Sequence, residues 1–211
     1  MAFQKAENFE RACKLFSKPC TFMLGVAKLE QLPPADRVEI AFAGRSNVGK
    51  SSLINALFNS KSIAKTSSTP GRTQQLNYFD FLGQMYLVDL PGYGFAKAPP
   101  QEVKRWQQVL VSYLKGRANL RRVFLLIDSR IGLKQVDEEI FTTLDEAAVS
   151  YQIVLTKIDK ISKAELEKVQ ENVASKLLMH AAAHTKILAT SADKKIGLDE
   201  LKAEIASFIE N

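Results

Sequence analysis

The chain predicts an α/β fold, a mostly parallel six-stranded sheet with one antiparallel strand and helices on both faces. Three observations carry this. Short β-prone runs alternate with stripes of helical period along most of the chain, the pattern of a layered α/β domain. Residues 123–127 are apolar at every position, as a strand covered on both faces requires. Two further β-prone runs, 75–82 and 84–89, meet at Gly83, which predicts a hairpin and supplies the antiparallel strand.

The elements follow in order. Residues 5–18 suit a short basic helix, and Pro33-Pro34 marks a junction after it. Residues 20–27 read as an extended segment packing onto the domain. Residues 38–43 predict a strand and 51–58 a helix entered through a glycine-rich turn. Residues 59–73, rich in Ser, Thr and Lys with Pro70-Gly71, predict a loop. Val103, Trp106, Leu110, Tyr113 and Leu114 stripe a helix after the hairpin. The strand at 123–128 leads to a helix near 135–147 and a strand at 151–155. Leu166, Val169, Val173 and Leu177 mark the next helix, 186–189 the last strand, and Leu198, Leu201, Ile205, Phe208 and Ile209 a closing helix. The boundaries expected are an N-terminal extension at 1–22 and one domain at 23–211.

At 211 residues and 46% apolar content, such a domain can bury a full core without disulfides or structural metals. A membrane-spanning helix needs about 20 apolar residues, and the longest strongly apolar run is the one at 123–127. Cys13 and Cys20 fit neither a redox pair nor a zinc cluster and read as reduced thiols of a cytoplasmic protein. A signal peptide ending near residue 27 is disfavoured by Glu7 and Glu10, and lipid anchoring by Ala2 and the lack of a C-terminal cysteine. The formal charge is +6, and residues 93–122 can account for all of it. There Lys97, Lys104, Arg105, Lys115, Arg117, Arg121 and Arg122 face only Glu102, which makes contact with a polyanion plausible.

The chemistry sits at strand ends. Gly44, Arg45, Ser46, Asn47, Val48, Gly49, Lys50 and Ser51 match G-x-x-x-x-G-K-[ST] between a predicted strand and a predicted helix. Such a turn aims backbone N–H groups at phosphate, and the helix dipole adds to their pull. Lys50 would reach the β- and γ-phosphates, and the Ser51 hydroxyl would ligate magnesium. Asp89-Leu90-Pro91-Gly92 ends the second hairpin strand, placing Asp89 to hold a magnesium-bound water and the Gly92 N–H to sense the γ-phosphate. Thr156-Lys157-Ile158-Asp159 follows the strand at 151–155. The Asp159 carboxylate can accept from N1–H and the N2 amine of guanine, whereas adenine offers neither donor. Lys157 would lay its stem along the base, and Thr190-Ser191-Ala192 would offer an N–H to the guanine O6.

In this order the motifs resemble those of translation-factor-related GTP-binding domains, and within them the TrmE–Era–EngA–YihA–septin group. The family most similar is the EngB (YihA) ribosome-biogenesis GTP-binding family. The residues that carry the resemblance are GRSNVGKSS at 44–52, STPGRTQQLNYF at 68–79, DLPGYGFA at 89–96 and TKIDK at 156–160. The resemblance implies a three-layer P-loop GTPase fold. It places the switch threonine, a magnesium ligand with Ser51, at Thr73, and brings Gly71, Arg72, Gln74 and Gln75 to the nucleotide. It implies catalysis through Lys50, Thr73, Gly92 and Asn47, with a potassium ion at Asn47. It also implies GTP and GDP as ligands with magnesium, and assembly of the large ribosomal subunit as the process, with a link to cell division and septation.

Two departures set further expectations. Thr156 replaces the usual Asn of N-K-x-D, which removes a side-chain amide that braces the phosphate loop. Tyr93 stands where Ras-like enzymes carry a water-orienting glutamine, so hydrolysis is expected to be slow. The composite expectation is a monomeric GTPase switch that meets ribosomal RNA through 93–122, without DNA or membrane partners. Two other readings stand beside it. One is a signalling GTPase that binds proteins and not RNA; the other is a P-loop ATPase or nucleotide kinase, which Asp159 argues against. His180 and His184 have surface or capping roles.

Overall fold

The sheet interior alternates strictly, and this alternation sets the layers. In the strand β2 (Val38–Gly44), Ile40 and Phe42 face one core while Ala41 and Ala43 face the other. The strand β5 (Leu120–Asp128) does the same, with Phe124 and Leu126 on one side and Val123, Leu125 and Ile127 on the other. A strand with two apolar faces can only be stable between two layers of helices. The computed structural model describes residues 2–60, 63–64, 75–94 and 100–209, of which the side chains of 2–6, 8 and 100–107 are not described.

On one face lie α1 (Ala2–Phe16), α2 (Lys50–Leu57) and α6 (Leu198–Ala206), through Phe16, Leu53, Ile54, Leu57, Leu201 and Ile205. On the other lie α3 (Pro100–Gly116), α4 (Gln135–Glu146) and α5 (Lys163–Leu177), through Leu110, Tyr113, Phe141, Leu144 and Val173. The remaining strands are β1 (Cys20–Val26), β3 (Leu76–Phe81), β4 (Met85–Asp89), β6 (Tyr151–Thr156) and the two-residue β7 (Leu188–Ala189). Their order is β1-β3-β4-β2-β5-β6-β7, with β3 antiparallel to both neighbours and every other pairing parallel.

The sheet therefore has seven strands, not six. The extra strand is the 20–27 segment, which pairs with β3 from Cys20↔Phe81 to Val26↔Leu76 around a bulge between Phe22 and Leu24. An edge strand has one open side, and here only its first and last residues are buried, so no period-2 signal marks it. The strand crosses the 22/23 boundary. α1 packs against α6, with Arg11 donating to the Ile209 carbonyl at 2.9 Å and Phe16 set between Phe58 and Phe81.

The basic stretch changes meaning in three dimensions. Arg117 is buried against Glu39 at 3.0 Å, and Arg122 donates to Glu204 at 2.7 Å and to Gln152 at 3.0 Å. Lys115 lies 3.8 Å from Glu146, and Arg121 is exposed. Three of these four basic side chains face acids that are distant in the chain, so a sequence window overcounts free charge. Lys97 and the side chains of Lys104 and Arg105 lie outside the described residues.

Candidate nucleotide site

The described residues of the Gly44–Ser51, Asp89–Gly92, Thr156–Asp159 and Thr190–Ala192 motifs gather beyond the carboxyl ends of β2, β4, β6 and β7, where open α/β sheets bind ligands. The chain leaves β2 at Gly44, where an added Cβ would lie 2.8 Å from Val48 Cγ1 and 3.0 Å from the Leu126 carbonyl oxygen. Asn47 (φ 62°) and Gly49 (φ 103°) take left-handed conformations that close the turn, and Lys50 opens α2. The first turn of α2 carries no acid that would offset its positive end. Ser46 and Ser51 are half-buried on this loop, and Val48 is in the core.

Lys50 is ion-paired with Asp89. Burial pushes its ammonium down to about 7. Beyond Asp89 the chain zips onto the phosphate loop. Leu90 N–H donates to the Phe42 carbonyl at 2.9 Å, Tyr93 N–H to Gly44 at 3.3 Å, and Ser46 N–H to Tyr93 at 3.1 Å. A Cβ on Gly92 would stand 3.3 Å from Ser46 N and Cα, so a larger residue would have to push the phosphate-loop backbone back by a few tenths of an ångström. Leu90 itself is core and Pro91 half-buried.

On the base side, the Thr156 hydroxyl donates to the Val48 carbonyl at 2.7 Å. The brace expected to be lost with asparagine is thus made by the threonine. Lys157 Nζ reaches the Asn47 carbonyl at 2.7 Å and Asp128 at 2.9 Å. Burial raises the Asp128 carboxyl, but hydrogen bonds from Arg130 and Lys157 outweigh it and hold it at about 2. The Ser191 hydroxyl donates to Asp159 at 2.6 Å, and Lys160 lies 3.0 Å from the other carboxylate oxygen. These contacts, Ser191 foremost, lower the Asp159 pKa. Ile158 N–H donates to the Thr190 carbonyl, joining the two base-side loops, and Ala192 is half-buried beside them.

One residue, Gln75, and one side chain, that of Tyr93, lie away from these clusters. Gln75 packs over Gly25 of β1 and donates to Asn77 at 3.3 Å. Tyr93 points inward, 3% exposed, with its hydroxyl on Asp137 at 2.8 Å. Gly71, Arg72, Thr73 and Gln74 lie outside the described residues.

The model of the 50S ribosome-binding GTPase family matches residues 39–157, and that of the elongation factor Tu GTP binding domain matches 113–211. A curated relative named "Probable GTP-binding protein EngB", from Cereibacter sphaeroides, is 55% identical over 92% of this chain and 89% of its own. The chain belongs to the EngB family of GTP-binding proteins. A solved EngB structure is 25% identical, with a TM-score of 0.66 over 81% of this chain and 98% of the other. Era, solved in complex with MgGDPNP and a stretch of 16S ribosomal RNA, is 26% identical, with a TM-score of 0.63 over 82% of this chain and 57% of its own.

As an EngB-family GTPase, the protein binds guanine nucleotide and hydrolyses GTP. Among the described residues no cluster of three or more His, Cys, Asp or Glu can hold a metal by itself. The Ser51 hydroxyl and Asp89 carboxylate are hard oxygen donors that fit magnesium, an ion that completes its shell from phosphate and water. Sequence reasoning passed over Asp128 and Asp137. Asp128 was open to the strand-end logic that found Asp89, whereas nothing local marks Asp137, an ordinary acid in the first turn of a helix.

Proposed function

We propose that this EngB-family GTPase is a slow, magnesium-dependent switch acting in assembly of the large ribosomal subunit, with a link to cell division and septation. The observation that carries the switch reading is the attachment of residues 89–93 to the phosphate loop. A group bound at the γ-phosphate position would touch both strands of that zipper. Lys50, Ser51 and Asp89 would hold the phosphates and magnesium, with Thr73 joining them. Magnesium supplies charge neutralisation between the phosphates when bound. Asp159 and Ser191 would read the guanine edge while Lys157 supports its face.

Slow hydrolysis follows from Tyr93, whose hydroxyl is engaged in the core. The described part of the site offers no carboxamide there to orient water. Potassium at Asn47, exposed at the top of the loop, belongs to the same proposal and would show as faster hydrolysis in potassium than in sodium. Equal rates in the two salts would remove it.

The ribosomal part of the reading rests on the 50S ribosome-binding family model, and RNA contact is proposed for the 93–122 region. Its charge there would come from Lys97, Lys104, Arg105 and Arg121, since Arg117 and Arg122 face inward. Sedimentation with a GTP analogue or GDP tests it. The protein should travel with large-subunit particles in the GTP-analogue sample and leave them in GDP. Absence from ribosomal particles in both would overturn the assembly role and favour a protein-binding switch.

A further inference from the structure

Asp137 is fully buried in the first turn of α4, outside every nucleotide-binding motif. Its Oδ2 accepts from Lys134 N–H at 2.9 Å, which caps the helix. Its Oδ1 accepts from the Tyr93 hydroxyl at 2.8 Å and stands 3.6 Å from Arg45 Nε. Arg45 also donates to the Gly132 carbonyl at 2.9 Å, closing the loop that precedes α4. One carboxylate therefore holds the second residue of the phosphate loop and the residue that follows Gly92.

The backbone shows what this grip fixes. Ser46 N–H donates to the Tyr93 carbonyl and Tyr93 N–H to the Gly44 carbonyl, which presses Gly92 against the loop, and Arg45 and Tyr93 form a parallel bridge there. Gly94 follows in a left-handed conformation (φ 80°). A buried carboxylate with a hydroxyl and a guanidinium as partners resists displacement, because moving either one leaves charge unpaired in the core. Burial first, then the nearby Asp137 carboxylate, keeps the Tyr93 phenol well above its usual pKa, so it remains a donor.

We propose that Tyr93 and Asp137 are positioning residues that pin the Gly92 N–H at the γ-phosphate position. This rests on the switch reading above and adds the device that gives the switch a fixed end. Tyr93 acts in the reaction through the placement of Gly92, and its ring and hydroxyl stay in the core throughout.

The test compares Tyr93→Phe and Asp137→Asn with Tyr113→Phe. Tyr113 is likewise a buried tyrosine bonded to a carboxylate, Glu39, but at the far end of β2. Affinities for GDP and a non-hydrolysable GTP analogue are measured together with kcat and KM. The proposal expects the ratio of GTP-analogue to GDP affinity and kcat to fall about tenfold in Tyr93→Phe and Asp137→Asn, the scale of one charge-assisted hydrogen bond. GDP affinity should stay within about twofold of wild type. Tyr113→Phe should lose thermal stability and leave the ratio unchanged. Equal losses for both nucleotides, or no change in the ratio, would overturn the proposal. A wild-type protein that does not distinguish the analogue from GDP would instead overturn the switch reading beneath it. Thermal unfolding of each variant keeps misfolding separate from either outcome.

Discussion

Two carboxylates are fully buried near the two ends of β2, and each gathers tyrosine hydroxyl and arginine around itself. At the amino end, Glu39 accepts from Tyr78 at 3.1 Å, from Tyr113, and from Arg117 at 3.0 Å, with Asn119 at 3.5 Å. Beyond the carboxyl end, Asp137 takes Tyr93, Arg45 and the Lys134 amide. The chemistry is nearly the same. The partners differ, because Glu39 ties the end of α3 to the middle of the sheet while Asp137 ties two nucleotide-facing segments to each other. A buried ionic cluster thus has no fixed meaning. What its partners are attached to decides whether it serves the fold or the site.

The largest expected effect breaks the first cluster. Glu39→Ala leaves the Arg117 guanidinium, 8% exposed, without its counter-charge, and should cost about 3–5 kcal/mol in urea unfolding. Selectivity between GTP analogue and GDP should survive in the fraction that folds, and its loss would show that the two ends of β2 are coupled. Tyr113→Phe removes one donor to Glu39 and leaves the others. It should cost only about 1–2 kcal/mol by the same measurement. A cost as large as that of Glu39→Ala would mean that the hydroxyl, and not the ion pair, organises the cluster.

Most of the fold was legible because strand ends and helix stripes are local signals. Gly44–Ser51, Asp89–Gly92 and Thr156–Asp159 each stand at a strand terminus that hydrophobic pattern alone locates. What escaped depends on distant partners. The extended reading of 20–27 holds, but its place as the seventh strand shows only in its pairing with β3, since its own exposure does not alternate. Arg117 and Arg122 look like free charge until Glu39 and Glu204 are brought to them from 78 and 82 residues away. Tyr93 sits in a motif, so a site-facing side chain is the natural reading, and only the fold reveals Asp137 behind it. Thr156 shows the reverse case, where a substituted motif residue keeps its task because a hydroxyl reaches the carbonyl of Val48.

On the proposal above, residues 89–93 and the phosphate loop form one unit that does not move with the nucleotide. Amide hydrogen exchange on the wild-type protein reads this residue by residue. The Ser46 amide, bonded to the Tyr93 carbonyl, and the Tyr93 amide, bonded to Gly44, are the reporters. Equal protection of both amides is expected in GDP and in GTP analogue. Faster exchange at Ser46 and Tyr93 in GDP would contradict it, placing the moving joint inside the unit that Asp137 is held to fix.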